Sequence, residues 1–434
     1  MKYKALSSKL YKLNRANFVK ALQPNAIAVF HSNDMMPRTG DSFHKFRQNS
    51  DLLYLSGLDQ EEVVVVLFPD CPNKNWREVI FTKKTNEHIA IWEGEKYTKE
   101  QARKVSGIQS VYWLEEMDRV LTEMIILSEM IYLNGNENYR FNSPVAYKDL
   151  RFLEDLKKAF PFHRIERSQP IMKRLRMVKS KHEVKAIQKA ADLTEKAFRR
   201  VLNFTRPGVK EYEIEAEITH EFLRNSATGH AYEPIIASGA NACVLHYLEN
   251  NKTCEYGDLL LMDFGAEYAN YAADMTRTIP VSGQFTKRQR EVYKAVLKVM
   301  KASIEMLRPG TNINAYHKEV GKIMESQLIK IGLLDKTDVK NQSKNNPLYR
   351  EYFMHGTSHH LGLDVHDISN FYADIQPGMV FTCEPGIYIR QEGLGVRLED
   401  DILVTNDNPI NLMKNIPIEI NEIEDIMNDL DLPF

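Results

Sequence analysis

A chain of 434 residues exceeds what one hydrophobic core usually serves, so two domains are expected. Its apolar fraction of 43%, charged fraction of 27% and formal charge of −2 describe an ordinary globular protein, with no electrostatic footprint for nucleic acid or an anionic membrane. No run approaches the roughly 18 apolar residues of a membrane span, and the N-terminal MKYKALSSKLYKLNRANF lacks an apolar signal core, so a cytoplasmic protein is expected, with neither nucleic acid nor membrane as partner.

Along the first part, helical spacing is read near 7–22, 114–130 and 146–160, while AIAVF (26–30), VVVVLF (63–68) and VIFT from Val79 read as buried strands. Residues 1–172 therefore form a smaller α/β domain. The basic segment IMKRLRMVKSKHEVKAIQKA then runs into a long amphipathic helix ending near Leu202, and residues 173–434 make the second domain. Cys71, Cys243, Cys254 and Cys383 are far apart and in no C-x-x-C pair, which suits reduced thiols.

The second part repeats itself. LNFTRPGVKEYEIEAEI from Leu202 and EMLRPGTNINAYHKEV from Glu305 each end a helix, turn on Arg-Pro-Gly and start another. Downstream lie GDLLLMDFG (257–265) and GMVFTCEPG (378–386), in which Asp263 and Glu384 each follow the leading glycine by six residues. In both, an apolar strand delivers a carboxylate at its end. A returning strand brings a second one, Asp274 in YAADMTRTIPV and Glu399 in GVRLEDDILV. Strand interiors disfavour Asp and Glu, and buried carboxylates are costly unless paired or bound to metal.

Between these pieces, MHGTSHHLGLDVHD (354–367) holds four of the chain's thirteen histidines. His355 and His359 are spaced as in H-E-x-x-H, but the glutamate is missing and Gly356 and Gly362 disfavour a helix, so a turn leading into a short strand is predicted. Four carboxylates brought together need compensating cations. Two divalent ions would balance them and activate a shared water, with His359 completing the shell. Hard oxygens with one imidazole favour manganese, iron or cobalt, and zinc can also bind.

The D-x10-D of Asp263 and Asp274, the MHGTSHHLGLDVHD stretch, CEPGIY and VRLEDD, in this order, resemble the pita-bread metallopeptidases, the superfamily of methionine aminopeptidase and creatinase. HKFRQNSDLLYLSGLDQEEVVVVLFP (44–69) and IWEGEKY (91–97) resemble the N-terminal domain of the aminopeptidase P family. The implied fold is α+β: a C-terminal pita-bread domain with an internal pseudo-two-fold repeat, preceded by the smaller α/β creatinase-like domain.

The resemblance implies that Asp263, Asp274, His359, Glu384 and Glu399 bind two divalent ions, Mn2+ first, with Asp274 and Glu399 bridging them. The implied reaction is hydrolysis of the bond between any N-terminal residue and a penultimate proline, with a hydroxide shared by the ions as nucleophile. Glu384 would double as general base, His366 would hydrogen-bond the substrate carbonyl, His355 would steady the region around the proline and His246 would serve the leaving nitrogen. His246 precedes Asp263 by 17 residues and His366 precedes Glu384 by 18, so both fit the repeat. Arg397 would organise the site or contact substrate, and Tyr388 would wall the proline pocket. The N-terminal domain would serve oligomerisation and access control, with Asp41 and Trp92 reaching a neighbouring subunit's cleft in a homo-oligomer, tetramer ahead of dimer. His360 reads as structural or exposed. A prolidase acting on Xaa-Pro dipeptides is the nearest alternative, and a catalytically inactive binding module is a more remote one.

Overall fold

Ala26–His31 and Val63–Leu67 are buried at every residue, which is why both read as continuous apolar runs instead of alternating ones. They sit at the centre of a six-stranded mixed sheet in a computed structural model that describes residues 3–138, 143–343 and 345–429. The chain divides after Arg176 into two compact units.

In the first unit the strand order is Ser110–Trp113, Glu78–Thr82, Val63–Leu67, Ala26–His31, Met130–Leu133, Arg164–Arg167. Ala26–His31 runs antiparallel to Val63–Leu67, with Phe30 opposite Val65, and parallel to Met130–Leu133. Ile27 and Val29 share a core with Val120, Leu121, Met124 and Leu156 of the helices Met117–Ile126 and Lys148–Ala159. Phe30 points to the opposite face and meets Phe18 of the helix Ser8–Val19 edge-on at 5.3 Å. The helix expected over 114–130 is shorter. It opens with a 3-10 turn at Leu114–Glu116 and stops at Ile126, because Met130–Leu133 is fully buried and satisfies its backbone in the sheet instead.

The second unit begins with a further correction. The basic segment and the long amphipathic helix are not continuous: Gln169–Met177 ends, and Lys181–Phe204 starts anew with Ser180 accepting from the Glu183 amide and Glu183 reaching back to the Ser180 amide. That reciprocal cap satisfies two otherwise orphaned donors. Lys181–Phe204 turns on Arg-Pro-Gly into Glu211–Arg224, and Lys287–Met306 does the same into Ile313–Lys330.

After each helix pair come the strands that matter for function. Leu259–Asp263 lies between Ile235–Ser238 and Thr276–Pro280, antiparallel to both, with Asp263 opposite Thr276. Val380–Cys383 is antiparallel to Asp400–Leu403, with Cys383 opposite Asp400, and Gly386–Ile389 forms a hairpin with Leu394–Arg397. Gly257 and Gly378, which open the two matching segments, have φ of +93° and +90°, so both halves enter their strand through the same left-handed residue. At Gly265 a Cβ would lie 1.7 Å from the Ala273 carbonyl oxygen. Only glycine lets the returning chain come back so close to Asp263.

The histidine stretch differs from the short strand expected of it. Leu361 N donates to Val380 O, Thr382 N to His359 O and Glu384 N to Thr357 O, yet the stretch forms a single isolated bridge among the described residues, His360 opposite Phe381. The chain turns away at Gly362, whose amide bonds the Asp364 carbonyl. All four cysteines are free and buried, and no helix among the described residues is long and apolar enough to cross a membrane.

Candidate metal centre

The strands of the two halves deliver five donor side chains to one place. Asp263 ends its strand, Asp274 stands two residues before Thr276–Pro280, Glu384 comes directly after Val380–Cys383, and Glu399 separates Leu394–Arg397 from Asp400–Leu403. The Glu399 amide donates to the Thr276 carbonyl at 3.0 Å, which ties the two halves together at the site. His359 Nε2 lies 3.4 Å from Asp274 Oδ2 and 3.6 Å from Glu384 Oε1. Single donor atoms of Asp274, His359 and Glu399 fall within 4.8 Å of one another.

Neighbours fix the orientation of these donors. Tyr232 Oη is 2.5 Å from Asp263 Oδ1 and 2.6 Å from Asp274 Oδ1. Thr276 Oγ1 donates to Glu399 Oε2 at 2.6 Å and accepts from Arg397 Nε at 3.1 Å. Arg397, 4% exposed, also donates to Asp263 Oδ2 at 2.6 Å and to Tyr388 Oη at 3.0 Å. His359 Nδ1 is 3.0 Å from the His360 carbonyl, which fixes the proton on Nδ1 and turns the Nε2 lone pair toward the carboxylates.

Electrostatics then tests whether cations belong there. Burial, reinforced by Asp274, Glu384 and Asp263, pushes Glu399 far above the usual carboxylate range. Glu384 is pushed up to about 7, by burial first and then by Asp274 and Asp263, against the pull of His359 and Arg397. Asp263 is raised by burial, with Arg397 opposing and Asp274 adding. Asp401, whose Oδ2 accepts from the Asp274 amide at 3.2 Å, is raised well up by burial and by Asp274. One guanidinium and one imidazole cannot compensate this many buried carboxylates. With its proton displaced, the His359 imidazole would offer a lone pair to a cation held between it and the carboxylates. The donor set therefore fits divalent metal.

The other histidines surround the cleft. His355 Nε2 is 2.8 Å from Tyr388 Oη, and Nδ1 is 2.8 Å from the Gly356 carbonyl and 3.4 Å from Glu384 Oε2. Burial and the Arg397 charge push its imidazole down to about 3. The His366 ring stacks on His359 with centroids 4.0 Å apart. His246 is exposed and stands near enough to His355 for its charge to act on that ring. His360 is buried with its ring 4.2 Å from that of Phe381. Tyr388 is 1% exposed. Asp41 and Trp92 belong to the first unit, where Asp41 is exposed on the turn between Pro37–Thr39 and Ser42–Phe43, and Trp92 is 76% exposed on the helix Glu87–Glu93.

Sequence alone does not single out three contributors: Tyr232, Thr276 and Asp401. Thr276 lies two residues after Asp274, and that alternation is the signal that could have found it. Tyr232, in HAYEP, carries no spacing that marks it.

Residues 185–406, which hold all of these donors, match metallopeptidase family M24, and residues 11–132 match the N-terminal domain of aminopeptidase P. The chain belongs to metallopeptidase family M24. Among M24 relatives, the Xaa-Pro aminopeptidase of Escherichia coli (strain K12) is 35% identical, over 97% of this chain and 98% of its own. Human Xaa-Pro aminopeptidase 3 is 30% identical, over 97% and 86%. The structure of Pseudomonas aeruginosa aminopeptidase PepP superposes with a TM-score of 0.89 at 30% identity, covering 98% of each chain. Aminopeptidase P from E. coli with the inhibitor Pro-Leu gives 0.87 at 33% identity, covering 98% of this chain and 99% of that one. The likeness thus spans both units, which bears out the α+β pita-bread fold with its preceding domain.

Proposed function

We propose that this M24 peptidase removes the N-terminal residue from peptides whose second residue is proline, using two divalent ions, Mn2+ first, that Asp263, Asp274, His359, Glu384 and Glu399 would hold. The observation that carries the reading is the convergence of these side chains from both halves into one buried cluster that is over-supplied with negative charge. When bound, the ions supply an acidified water as nucleophile and stabilise the developing oxyanion.

The chain's own residues do the rest. Glu384 turns Oε1 toward His359 and Oε2 toward His355, and its carboxylate accepts the proton released by the nucleophile. His366, stacked on His359, donates to the carbonyl of the scissile bond. A proline nitrogen has no N–H and leaves only once protonated, and His246, exposed at the cleft, serves that step. His355 faces the proline ring with Tyr388 buried behind it at a 2.8 Å hydrogen bond, and Arg397 ties Tyr388 to Asp263.

The first unit, bounded near residue 172 by sequence, serves homo-oligomer contacts and access control, with Asp41 and Trp92 presented to a neighbouring copy. An indole left 76% exposed supports that assignment. Four free cysteines support a reducing, cytoplasmic setting.

The relatives are named Xaa-Pro aminopeptidases, which supports tripeptides and longer substrates over the prolidase alternative. The five retained donors speak against an inactive binding module. Protein stripped with chelator and resupplied with Mn2+ is expected to release the first residue from Xaa-Pro-Yaa. Turnover of Xaa-Pro dipeptides alone would establish prolidase, and activity on neither, with metal bound, would establish a binding module.

A further inference from the structure

The hairpin Gly386–Ile389/Leu394–Arg397 serves the metal centre through Tyr388 and Arg397, but its tip has no part in that chemistry. The tip carries Arg390, and beside it opens a cavity of about 440 Å³ lined by Ala240, Cys243, Val244, Leu245 and Arg390. We propose that this cavity is a peptide-extension subsite in which Arg390 selects substrates bearing a carboxylate beyond the residues held at the metals. The proposal rests on the peptidase reading above.

Three observations support it. The cavity adjoins the cleft: Cys243 shares a small apolar cluster with Tyr388, Leu245 packs against that cluster, and Tyr388 Oη bonds both His355 and Arg397. Leu245 directly precedes His246, so one stretch of backbone lines both spaces. The hairpin is also firmly seated, because at Gly395 a Cβ would lie 2.3 Å from the Ala242 carbonyl oxygen. The segments that bring Arg390 and Ala240 to the cavity are therefore packed backbone against backbone.

Its charge is unspent. The nearest acid along the chain, Glu392, is engaged by Arg288 at 2.8 Å, and the Arg390 guanidinium has no ion pair or hydrogen bond among the described residues. The walls beside it are apolar, with Val244 52% exposed. A cation at the mouth of an apolar recess suits an extended peptide: side chains cover the wall while a carboxylate meets the guanidinium, partly shielded from water. That carboxylate is either the C-terminus of a short peptide or an acidic side chain after the proline.

The test compares kcat/KM for Xaa-Pro peptides of three to five residues on Mn2+-loaded enzyme. One arm sets the free acid against the C-terminal amide, and the other sets Glu against Gln after the proline in amidated peptides. The wild type is expected to favour the carboxylate form by about fivefold in one arm, the scale of a well-placed exposed ion pair, mostly through KM. Arg390→Gln should bring that ratio to about one, and Arg390→Glu should invert it. The arm that responds identifies the source. Ratios that Arg390→Glu leaves unchanged in both arms, on an enzyme that still cleaves the peptides, would overturn the subsite alone. A wild type that cleaves none of them overturns the peptidase reading, and the subsite falls with it.

Discussion

Tyr232 places one hydroxyl between two carboxylates, 2.5 Å from Asp263 Oδ1 and 2.6 Å from Asp274 Oδ1. Burial and the neighbouring charges of Asp263, Asp274 and Glu399 push the phenol far up, so it keeps its proton. One proton serves one acceptor at a time, so the second short contact needs a proton on that carboxyl or a cation that both carboxylates share. The hydroxyl thus holds two proposed ligands in a fixed relation across the first half's strand pair. Tyr232→Phe keeps the ring and removes only that hold. Metal affinity is expected to fall about 10–100-fold with the fold intact, as for other groups that orient ligands. Metal titration giving the wild-type constant would show that the carboxylates orient themselves.

The two acidic pairs and the cleft histidines should separate by metal content. Asp274 lies within reach of His359 Nε2 at 3.4 Å and in the triad with Glu399, so Asp274→Ala should lose the proposed ions. His246 is exposed and stands beside His355 without joining the carboxylates, so His246→Ala should retain the ions and lose rate, by the roughly 10²–10⁴-fold of general acid–base groups. Elemental analysis and kcat on the same preparations decide this. The reverse pattern would require the roles to be exchanged.

Much of this site is legible in the chain itself, and the reason is physical. Asp263 and Glu384 close apolar strands where a carboxylate is costly, and the spacing from Gly257 and Gly378 shows that the cost is incurred twice in the same way. Tyr232 is illegible because an isolated tyrosine fits a core as readily as a site. The edge strand Arg164–Arg167 is illegible for another reason: RIER is largely exposed and charged, so no alternation marks it. The break before Lys181 hides because its flanks are both good helix formers, and only the reciprocal bonds of Ser180 and Glu183 reveal a new start. The histidine stretch lies between categories, paired like a strand at Thr357, His359 and Leu361 yet turned aside at Gly362.

Close to that turn, Lys179 Nζ meets Asp367 Oδ2 at 3.0 Å with both side chains 1% exposed. Gly362 makes room for them, since a Cβ there would lie 2.3 Å from Asp367 Oδ2. Removing one partner of a buried ion pair leaves an uncompensated charge. Lys179→Met is therefore expected to destabilise the protein by about 3–5 kcal/mol, and Lys179→Met with Asp367→Leu to recover much of it. Urea unfolding of both variants measures this. A double variant no more stable than Lys179→Met would show that the pair contributes more than mutual neutralisation.

A pH dependence arises from His230, away from the proposed ligands. Its Nε2 is 2.8 Å from Thr219 Oγ1, and Thr219 gives its own proton to the Glu215 carbonyl at 2.9 Å, so the imidazole donates through Nε2. Nδ1 is then a buried lone pair with no hydrogen-bond partner among the described residues, and the ring meets Phe222 edge-on at 5.0 Å. Protonation would place an N–H there with nothing to accept it, and burial accordingly lowers the imidazole from 6.5 to about 4. As pH falls, the unfolded chain takes up this proton first. The stability that His230 contributes is complete above pH 6.5 and declines below it until about pH 4, at up to about 1.4 kcal/mol per pH unit. Urea unfolding of wild type and His230→Asn at pH 7, 6 and 5, with chelator in every sample, isolates the effect from metal release. The wild type should lose stability relative to the variant at each step downward. A gap that stays constant would mean that His230 takes up its proton as readily in the folded protein as in the unfolded chain.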